Sequence, residues 1–378
     1  MSLWIETAHQ CLPRAGEEVC GEAVRTFQTE EWFGAVLAGS PQGGALGARQ
    51  ASAIAGRALE MLQAEAAPDD VAEALIQVSA DASAGNEEAV FSVLRVVAGD
   101  QAHLVECDTL PLCLIRGGEV AFLPLSEEVV RRRLLREYRF RLQDGDYLVM
   151  VSQGFLHPRG WGWGWSDIAV AVRRWTDTGC DADELMSALM RTYRRLNPGA
   201  PRWDVTVVAM HVRPERHATV WTGPPADRAR DEVALGQLMA GQGTRVICGG
   251  TTALIAARLL GAEMKTEARP DDGWAEVPPT SRLDGVDLVT EGLVTLSKAR
   301  ERMEGAQRVR DLPRGEDGAT RLARALLVAD NVRFLVGLAV NPAQVADTAC
   351  VVPSRQALVG QLMRDLEARG KLVSVEYL

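Results

Sequence analysis

The sequence predicts a two-domain protein of mixed α and β structure: a β-sandwich flanked by helices, followed by a three-layer α/β domain. Three observations carry that reading. The chain has 378 residues, more than one core of about 100 to 200 residues accommodates. Up to residue 213, strand-like and helix-like runs come in blocks, an order that packs two sheet layers with helices outside them. From Pro214 onward short strands alternate with helices, the rhythm of a sheet with helices on its faces. The domain boundaries that follow are 1–213 and 214–378.

Each element has a local reason. Ala23 to Gln28 and Trp32 to Ala38 read as a hairpin closed by Thr29-Glu30-Glu31. After the loop Gly39 to Gly44, the Ala- and Leu-rich run Ala45 to Ala66 predicts a long helix, and Pro68 to Ala84 a second. The runs Ala89 to Ala98, Ala102 to Cys107, Pro111 to Ile115 and Glu119 to Leu123 predict an antiparallel meander, with tight turns at Gly99-Asp100 and Gly117-Gly118. An arginine-rich stretch, Arg131 to Arg141, leads through the turn Gln143 to Asp146 into the apolar strand Tyr147 to Ser152. Helices are expected over Ser166 to Thr176 and Asp181 to Arg195, and Pro198 to Pro201 breaks the chain before the strand Val205 to Val212. In the second half, strands at Thr244 to Cys248, Val286 to Val289, Val332 to Val336 and Leu372 to Tyr377 alternate with helices at Thr251 to Leu260, Leu293 to Arg302, Gly318 to Ala329 and Arg355 to Arg369. Ala268 to Ser281 and Gly305 to Gly318 are expected to be the least ordered stretches.

Composition narrows the functions. Asp and Glu total 51 against 41 Lys and Arg, a net charge of −10, which gives no long-range attraction to nucleic acid or anionic lipid. No apolar run approaches the roughly 18 residues of a membrane span, and MSLWIETAHQ lacks the features of a signal peptide. The expectation is a cytoplasmic protein with no nucleic-acid or membrane partner. The seven cysteines are scattered without a CxxC pair and are expected to be reduced. The five histidines form no HExxH or HxxxH pattern, so zinc-bound water on imidazole ligands has no foothold.

Three ordered motifs carry a family resemblance. Cys20-Gly21-Glu22, a hairpin, Val36-Leu37-Ala38-Gly39-Ser40, a glycine-rich turn and a long helix come first. The strand Gly145-Asp146-Tyr147-Leu148-Val149-Met150-Val151-Ser152-Gln153-Gly154 and the strand Trp203-Asp204-Val205-Thr206-Val207-Val208 follow. Over roughly residues 15 to 213 this order resembles the SpoIIE-type phosphatases, of the metal-dependent PPM (type 2C) serine/threonine class. The block Leu104 to Arg116 is similar to that family's paired central strands. The resemblance implies a β-sandwich flanked by helices, with two Mn²⁺ or Mg²⁺ ions held by carboxylates at one end. Those ions would polarise a water that attacks a phosphoserine or phosphothreonine ester.

At the family's metal positions the sequence departs three times. Ala38-Gly39-Ser40 stands for Ala-Asp-Gly, Ser152-Gln153-Gly154 for Ser-Asp-Gly and Trp203-Asp204 for Asp-Asp. Gly39 offers only backbone, Gln153 a neutral carbonyl oxygen and Trp203 no acceptor. Paired hard cations need several negative charges to offset their own repulsion. The resemblance therefore implies degenerate metal positions at Gly39, Ser40, Gln153 and Trp203, remnant acids at Glu22 and Asp204, no bound metal, and an indole filling the vacated cavity. The leading expectation is a pseudophosphatase that acts as a regulatory module by binding a regulatory protein, a phosphorylated one among the candidates. The alternative is an active Mn- or Mg-dependent phosphatase with ligands relocated to Glu22, Glu30 and Asp204.

Other features have two readings each. Trp161-Gly162-Trp163-Gly164-Trp165 reads as a stacking platform or as tryptophans packed on the sandwich. The six arginines at 131, 132, 133, 136, 139 and 141 grip a phosphoprotein, or lie along the surface against intramolecular Asp and Glu. Cys248 is an activated thiolate at a helix start or a buried structural thiol. Gly249-Gly250-Thr251-Thr252 follows a strand and opens a helix, and Thr290 ends the parallel layout at Asp287 to Gly292. These residues form a cradle for a nucleotide or other small anionic ligand, or ordinary helix caps at Thr251 and Thr290. With Gly337 to Pro342, the three turns are expected at one crevice along the carboxyl edge of the sheet.

Overall fold

The computed structural model describes residues 2–82, 90–156, 163–267, 277–306, 308–339 and 354–378. It divides into two compact units, Met1–Pro214 and Glu215–Leu378. The first unit runs β1 (Leu3–Leu12), β2 (Glu22–Gln28), β3 (Trp32–Gly39), α1 (Gly44–Gln63), α2 (Pro68–Ala82), β4 (Val90–Val97), β5 (Gln101–Cys107), β6 (Cys113–Arg116), β7 (Glu119–Val120), β8 (Leu125–Val130), β9 (Arg133–Arg141), β10 (Tyr147–Val151), α3 (Trp165–Thr176), α4 (Ala182–Leu196) and β11 (Val205–Pro214). Its strands form a five-stranded sheet, β1-β11-β10-β6-β7, and a six-stranded sheet, β2-β3-β4-β5-β9-β8. Neighbouring strands in both sheets are antiparallel.

Alternation along the strands sorts the cores. In β10 and β11, Leu148, Met150, Val208, Met210 and Val212 face the other sheet, while Tyr147, Val149, Val151, Val205, Val207 and Ala209 face α3 and α4. In β3, Phe33, Ala35 and Leu37 enter the sandwich and Val36 and Ala38 face α1 and α2. A strand covered on both faces reads as a continuous apolar run, and this is why β3, β10 and β11 carry so few polar residues. The α1 stripe of Ala51, Ala55, Ala58 and Leu62 recurs at helical spacing, all with no exposure. Helix α4 starts on a reciprocal cap, with Glu184 N donating to Asp181 Oδ1 at 2.7 Å and Asp181 N donating to Glu184 Oε2 at 3.2 Å. The result is two stacked sheets with helices on both outer faces, the predicted sandwich.

Two expectations need correction, and one of the two readings of the arginine stretch is decided. The meander from residue 89 to 123 is not one sheet: β4 and β5 lie in the six-stranded sheet, β6 and β7 in the five-stranded one. The crossing is held by Glu106, whose Oε1 accepts from Leu112 N at 2.8 Å. Strand β1 was not expected, because LWIETAHQCL shows no clean alternation; pairing with β11 along its whole length makes it a strand. From Arg133 onward the arginine stretch is strand β9, and its side chains meet intramolecular acids: Arg136 with Glu106 at 3.2 Å, Arg139 with Glu137 at 2.6 Å and Arg141 with Asp100 at 2.7 Å.

The second unit continues with β12 (His217–Thr222), α5 (Asp231–Ala240), β13 (Thr244–Cys248), α6 (Gly250–Leu260), β14 (Lys265–Thr266), β15 (Ser281–Leu283), β16 (Val286–Thr290), α7 (Leu293–Glu304), α8 (Gly318–Val328), β17 (Asn331–Val336), α9 (Arg355–Glu367) and β18 (Leu372–Tyr377). Its sheet order is β14-β15-β16-β13-β12-β17-β18, parallel from β16 to β18. Counted from β12, the parallel strands stand in the order 3-2-1-4-5, a doubly wound arrangement. Helices α5 and α6 cover one face; α7, α8 and α9 cover the other. The sequence reading missed β12 and α5, since HATVWT and DEVALGQLMA carry weak periodicity of their own. Residues 268–276, most of one stretch expected to be least ordered, lie outside the described residues; in the other, Leu312 is buried and Val309–Asp311 forms a 3₁₀ turn. Among the described residues no helix is long and apolar enough to cross a membrane.

Leu148 is fully buried between the two sheets, whereas Phe122 is 95% exposed. Leu148→Ala is expected to lower the unfolding free energy by about 3 kcal/mol, and Phe122→Ala by less than about 0.5 kcal/mol. Urea unfolding curves of the two variants check this contrast.

Candidate functional site

The predicted metal positions fall at one end of the sandwich, where β2 and β3 meet the start of β11. Glu22 opens β2 and is the antiparallel partner of Gly39, the last residue of β3. Asp204 immediately precedes β11, whose Thr206 pairs with Cys11 of β1. Ser152 follows β10 and accepts from Thr206 N at 2.9 Å. The turn after it needs glycine: a Cβ on Gly154 would sit 2.0 Å from Asp204 O. That close approach sets the exit of β10 against the entry of β11 and fixes Asp204 beside Glu22.

The acids are buried and unequal. Asp204 Oδ1 accepts from Arg14 N at 3.0 Å, and its Oδ2 lies 2.8 Å from where a Cβ on Gly21 would be. Burial pushes Glu22 up to about 7, and the nearby Asp204 charge adds to the rise. The Thr206 and Ser152 hydroxyls face Glu22 and oppose that shift, yet Glu22 Oε2 is left without a hydrogen-bond partner. Cys11 and Cys20 complete the cluster, which the sequence reading missed. Cys11 is pulled down to about 7, chiefly by its hydrogen bond with Cys20, and Cys20 is raised by the same contact. Only their positions, Cys11 near the end of β1 and Cys20 just before β2, mark these two thiols in the sequence, and that pairing needs the fold.

The four degenerate positions do not converge. Gly39 lies in the cluster, but a Cβ there would be 3.2 Å from Val90 Cγ2 and 3.6 Å from Glu22 Oε1. Ser40 donates from Oγ to Gln50 Oε1 at 2.7 Å, tying the loop to α1. Gln153 turns outward, its Nε2 donating to Asp108 O at 2.9 Å. Trp203 corrects the expectation of an indole-filled cavity. It is 46% exposed, with the Arg202 guanidinium 5.7 Å from its ring centre. An indole preceding a buried Asp at a strand entry alternates outward, and the space beside Glu22 is closed by Cys11, Cys20 and Thr206 instead.

The residues present do not fit a pair of divalent cations. The Gly39 position is crowded against Val90 and faces Glu22, and Gln153 points elsewhere. Among the described residues no group of three His, Cys, Asp or Glu side chains is arranged to hold a metal ion. Glu30, the third relocated ligand of the alternative reading, sits in the turn at the far end of the hairpin from Glu22. Six residue steps of strand, about 20 Å at about 3.3 Å per residue, separate that turn from the cluster.

Elsewhere, Trp163 is buried against Phe155 at 5.1 Å between ring centres, and Trp165 Nε1 donates to Pro111 O at 2.9 Å. Both pack on the sandwich; Trp161 and Gly162 lie outside the described residues. In the second unit, burial pushes Cys248 up to about 12, so it is a thiol. Its Sγ accepts from Thr290 Oγ1 at 3.1 Å. Helix caps at Thr251 and Thr290 are not what forms: Gly249 and Gly292 precede α6 and α7, and neither helix has a side-chain cap. Thr290 is the last residue of β16. Of the third expected turn, Gly337 follows β17, and residues 340–342 lie outside the described residues.

No family model matches the chain, and no curated protein matches it by sequence. Among solved structures it is similar to PP2C-type phosphatase domains that cover about 56% of the chain. The phosphatase domain of SpoIIE from Bacillus subtilis is 15% identical, covers 56% of this chain and 93% of its own, and has a TM-score of 0.45. RsbX in complex with magnesium is 14% identical over 55% of this chain and 95% of its own, with a TM-score of 0.41. The catalytic domain of the phosphatase PstP with two manganese ions is 14% identical over 56% of this chain and 100% of its own, with a TM-score of 0.40.

Glu22 makes stability depend on pH. Its folded pKa, about 7, lies above its ordinary value of 4.5, so the folded chain holds the proton more tightly. Its contribution is complete below about pH 4.5 and is lost as pH rises through about 7. Glu22's share of the unfolding free energy is expected to fall between pH 5 and pH 8 by up to about 3 kcal/mol. Glu22→Gln should remove that share of the slope in urea titrations at stepped pH. Glu106, also raised to about 7 by burial, adds a drop of similar size over the same window, which the Glu22→Gln variant keeps.

Proposed function

We propose that the first unit is a SpoIIE-like phosphatase scaffold that no longer holds catalytic metals and acts as a regulatory protein-binding module. The observation that carries this reading is the loss of three carboxylates at once, at Gly39, Gln153 and Trp203, with no acid moved into their place. Divalent cations a few ångströms apart repel each other strongly, and two buried acids do not offset that repulsion. The relocated-ligand alternative loses Glu30 on distance alone.

Binding is supported by what occupies the rim. Trp203 and Arg202 form an exposed aromatic–cation pair next to the buried Asp204, and such pairs anchor protein interfaces. The partner that this reading favours is a regulatory protein, with a phosphorylated segment drawn to the arginine. The six described cysteines are all free thiols, the state that a cytoplasmic protein keeps.

Isothermal titration of the whole chain with Mn²⁺ is expected to show no stoichiometric uptake of two ions, and a phosphoserine peptide should release no metal-dependent phosphate. Two bound ions with turnover would overturn the reading. The variant Gly39→Asp, Gln153→Asp, Trp203→Asp separates two causes: a gain in Mn²⁺ affinity of roughly tenfold or more assigns the exclusion of metal to the missing acids, and an unchanged affinity assigns it to the geometry of the scaffold.

A further inference from the structure

We infer that the second unit binds a phosphate group, carried by a small phosphate ester or free, at the carboxyl edge of its sheet between the first turn of α6 and the Arg355 guanidinium. The parallel strands β16, β13, β12 and β17 all end at this edge, and the chain reverses its winding between β12 and β17, where open α/β sheets leave a crevice. Helix α6 begins there on Gly249 with no side-chain cap. Its first amides point outward toward whatever negative group is offered.

A second observation points to a ligand. Thr252 is 1% exposed and its Oγ1 has no hydrogen-bond partner. That hydroxyl lies 3.1 Å from where a Cβ on Gly249 would be, and Gly223 N lies 3.9 Å from the same point. The hydroxyl therefore faces the exit of β12. Thr222, the last residue of β12, has no exposure and its hydroxyl is also without a partner. Buried polar groups are nearly always satisfied, and two orphaned hydroxyls at one sheet edge call for a partner from outside the chain.

Charge comes from Arg355, the first residue of α9. Its guanidinium rests on the bare Cα of Gly223, where φ is +78° and a Cβ would be 2.2 Å from Cζ. Nη1 donates to Gly337 O at 2.7 Å and to Ala339 O at 3.5 Å, which leaves the Nε and Nη2 donors for other use. Among the described residues no carboxylate pairs with Arg355. Burial lowers its pKa, as expected of a half-buried cation that lacks a counter-charge. One acid borders the site: the Glu291 carboxylate lies 3.2 Å from where a Cβ on Gly250 would be. It follows β16, on the side of the helix start away from β17, and can accept from ligand hydroxyls, which favours a sugar phosphate or nucleotide over the bare ion.

Titration of the full-length protein with ADP, adenosine and inorganic phosphate tests the site, and independently of the first unit. ADP is expected to bind at millimolar concentration or tighter, and adenosine not to bind. Phosphate binding as tight as ADP identifies the free ion as the ligand; weaker phosphate binding identifies the ester. Thr252→Val and Arg355→Gln should each weaken ADP or phosphate binding roughly tenfold, with circular dichroism unchanged. Thr252→Ser, which keeps the hydroxyl, should retain affinity and serves as the check on folding. No binding of either phosphate probe, adenosine binding as tight as ADP, or unchanged affinity in either weakening variant overturns the inference.

Discussion

The first unit depends on the burial of β11 from every side. It pairs with β1 over ten residues and with β10 on its other edge. Its alternate residues enter two different hydrophobic layers. A slip of one residue would exchange those layers, placing the buried Thr206 among the helices and Val205 and Val207 in the sandwich, so the register cannot drift. Everything at the end of the sandwich inherits that precision. Asp204 stands one residue before the strand, Thr206 one residue inside it, and both reach Glu22 only because β11 is held in place.

The chemistry of that end differs from a metal centre in kind. A two-metal site is a concentration of negative charge that the cations neutralise. Here the same location holds Glu22, whose charge burial disfavours, Asp204 bonded to Arg14 N, and two cysteines in mutual contact. Such a set tolerates burial because few full charges remain to be desolvated. At Gly154 the exit of β10 meets the entry of β11 main chain to main chain, which holds this end of the sandwich together.

The second unit is built on a different logic. Parallel strands line up their carboxyl ends, and each βα connection then brings a helix start to one edge. Gly223, Gly249 and Gly337 are the positions where those connections press together; a Cβ on Gly337 would sit 2.0 Å from Pro224 O. Small residues at this edge bring main chain, hydroxyls and one guanidinium within reach of each other.

Much of this was legible in the amino-acid order. The blocks of strands and helices and the change of rhythm near Pro214 are local properties, readable from alternation and helix periodicity, and the residues at Gly39, Gln153 and Trp203 are read against the motifs that they resemble. The same holds for the glycines and threonines after β13. What the order of residues could not decide was direction and company. Trp203 was expected inside and lies outside, because the strand entry, not the bulk of the ring, sets where it points. Strands β1 and β12 have weak patterns of their own and exist through long-range pairing. Cys11 meets Cys20, and Arg355 meets Gly223, across 9 and 132 residues of chain respectively; contacts of that kind are products of tertiary packing, which no local pattern encodes.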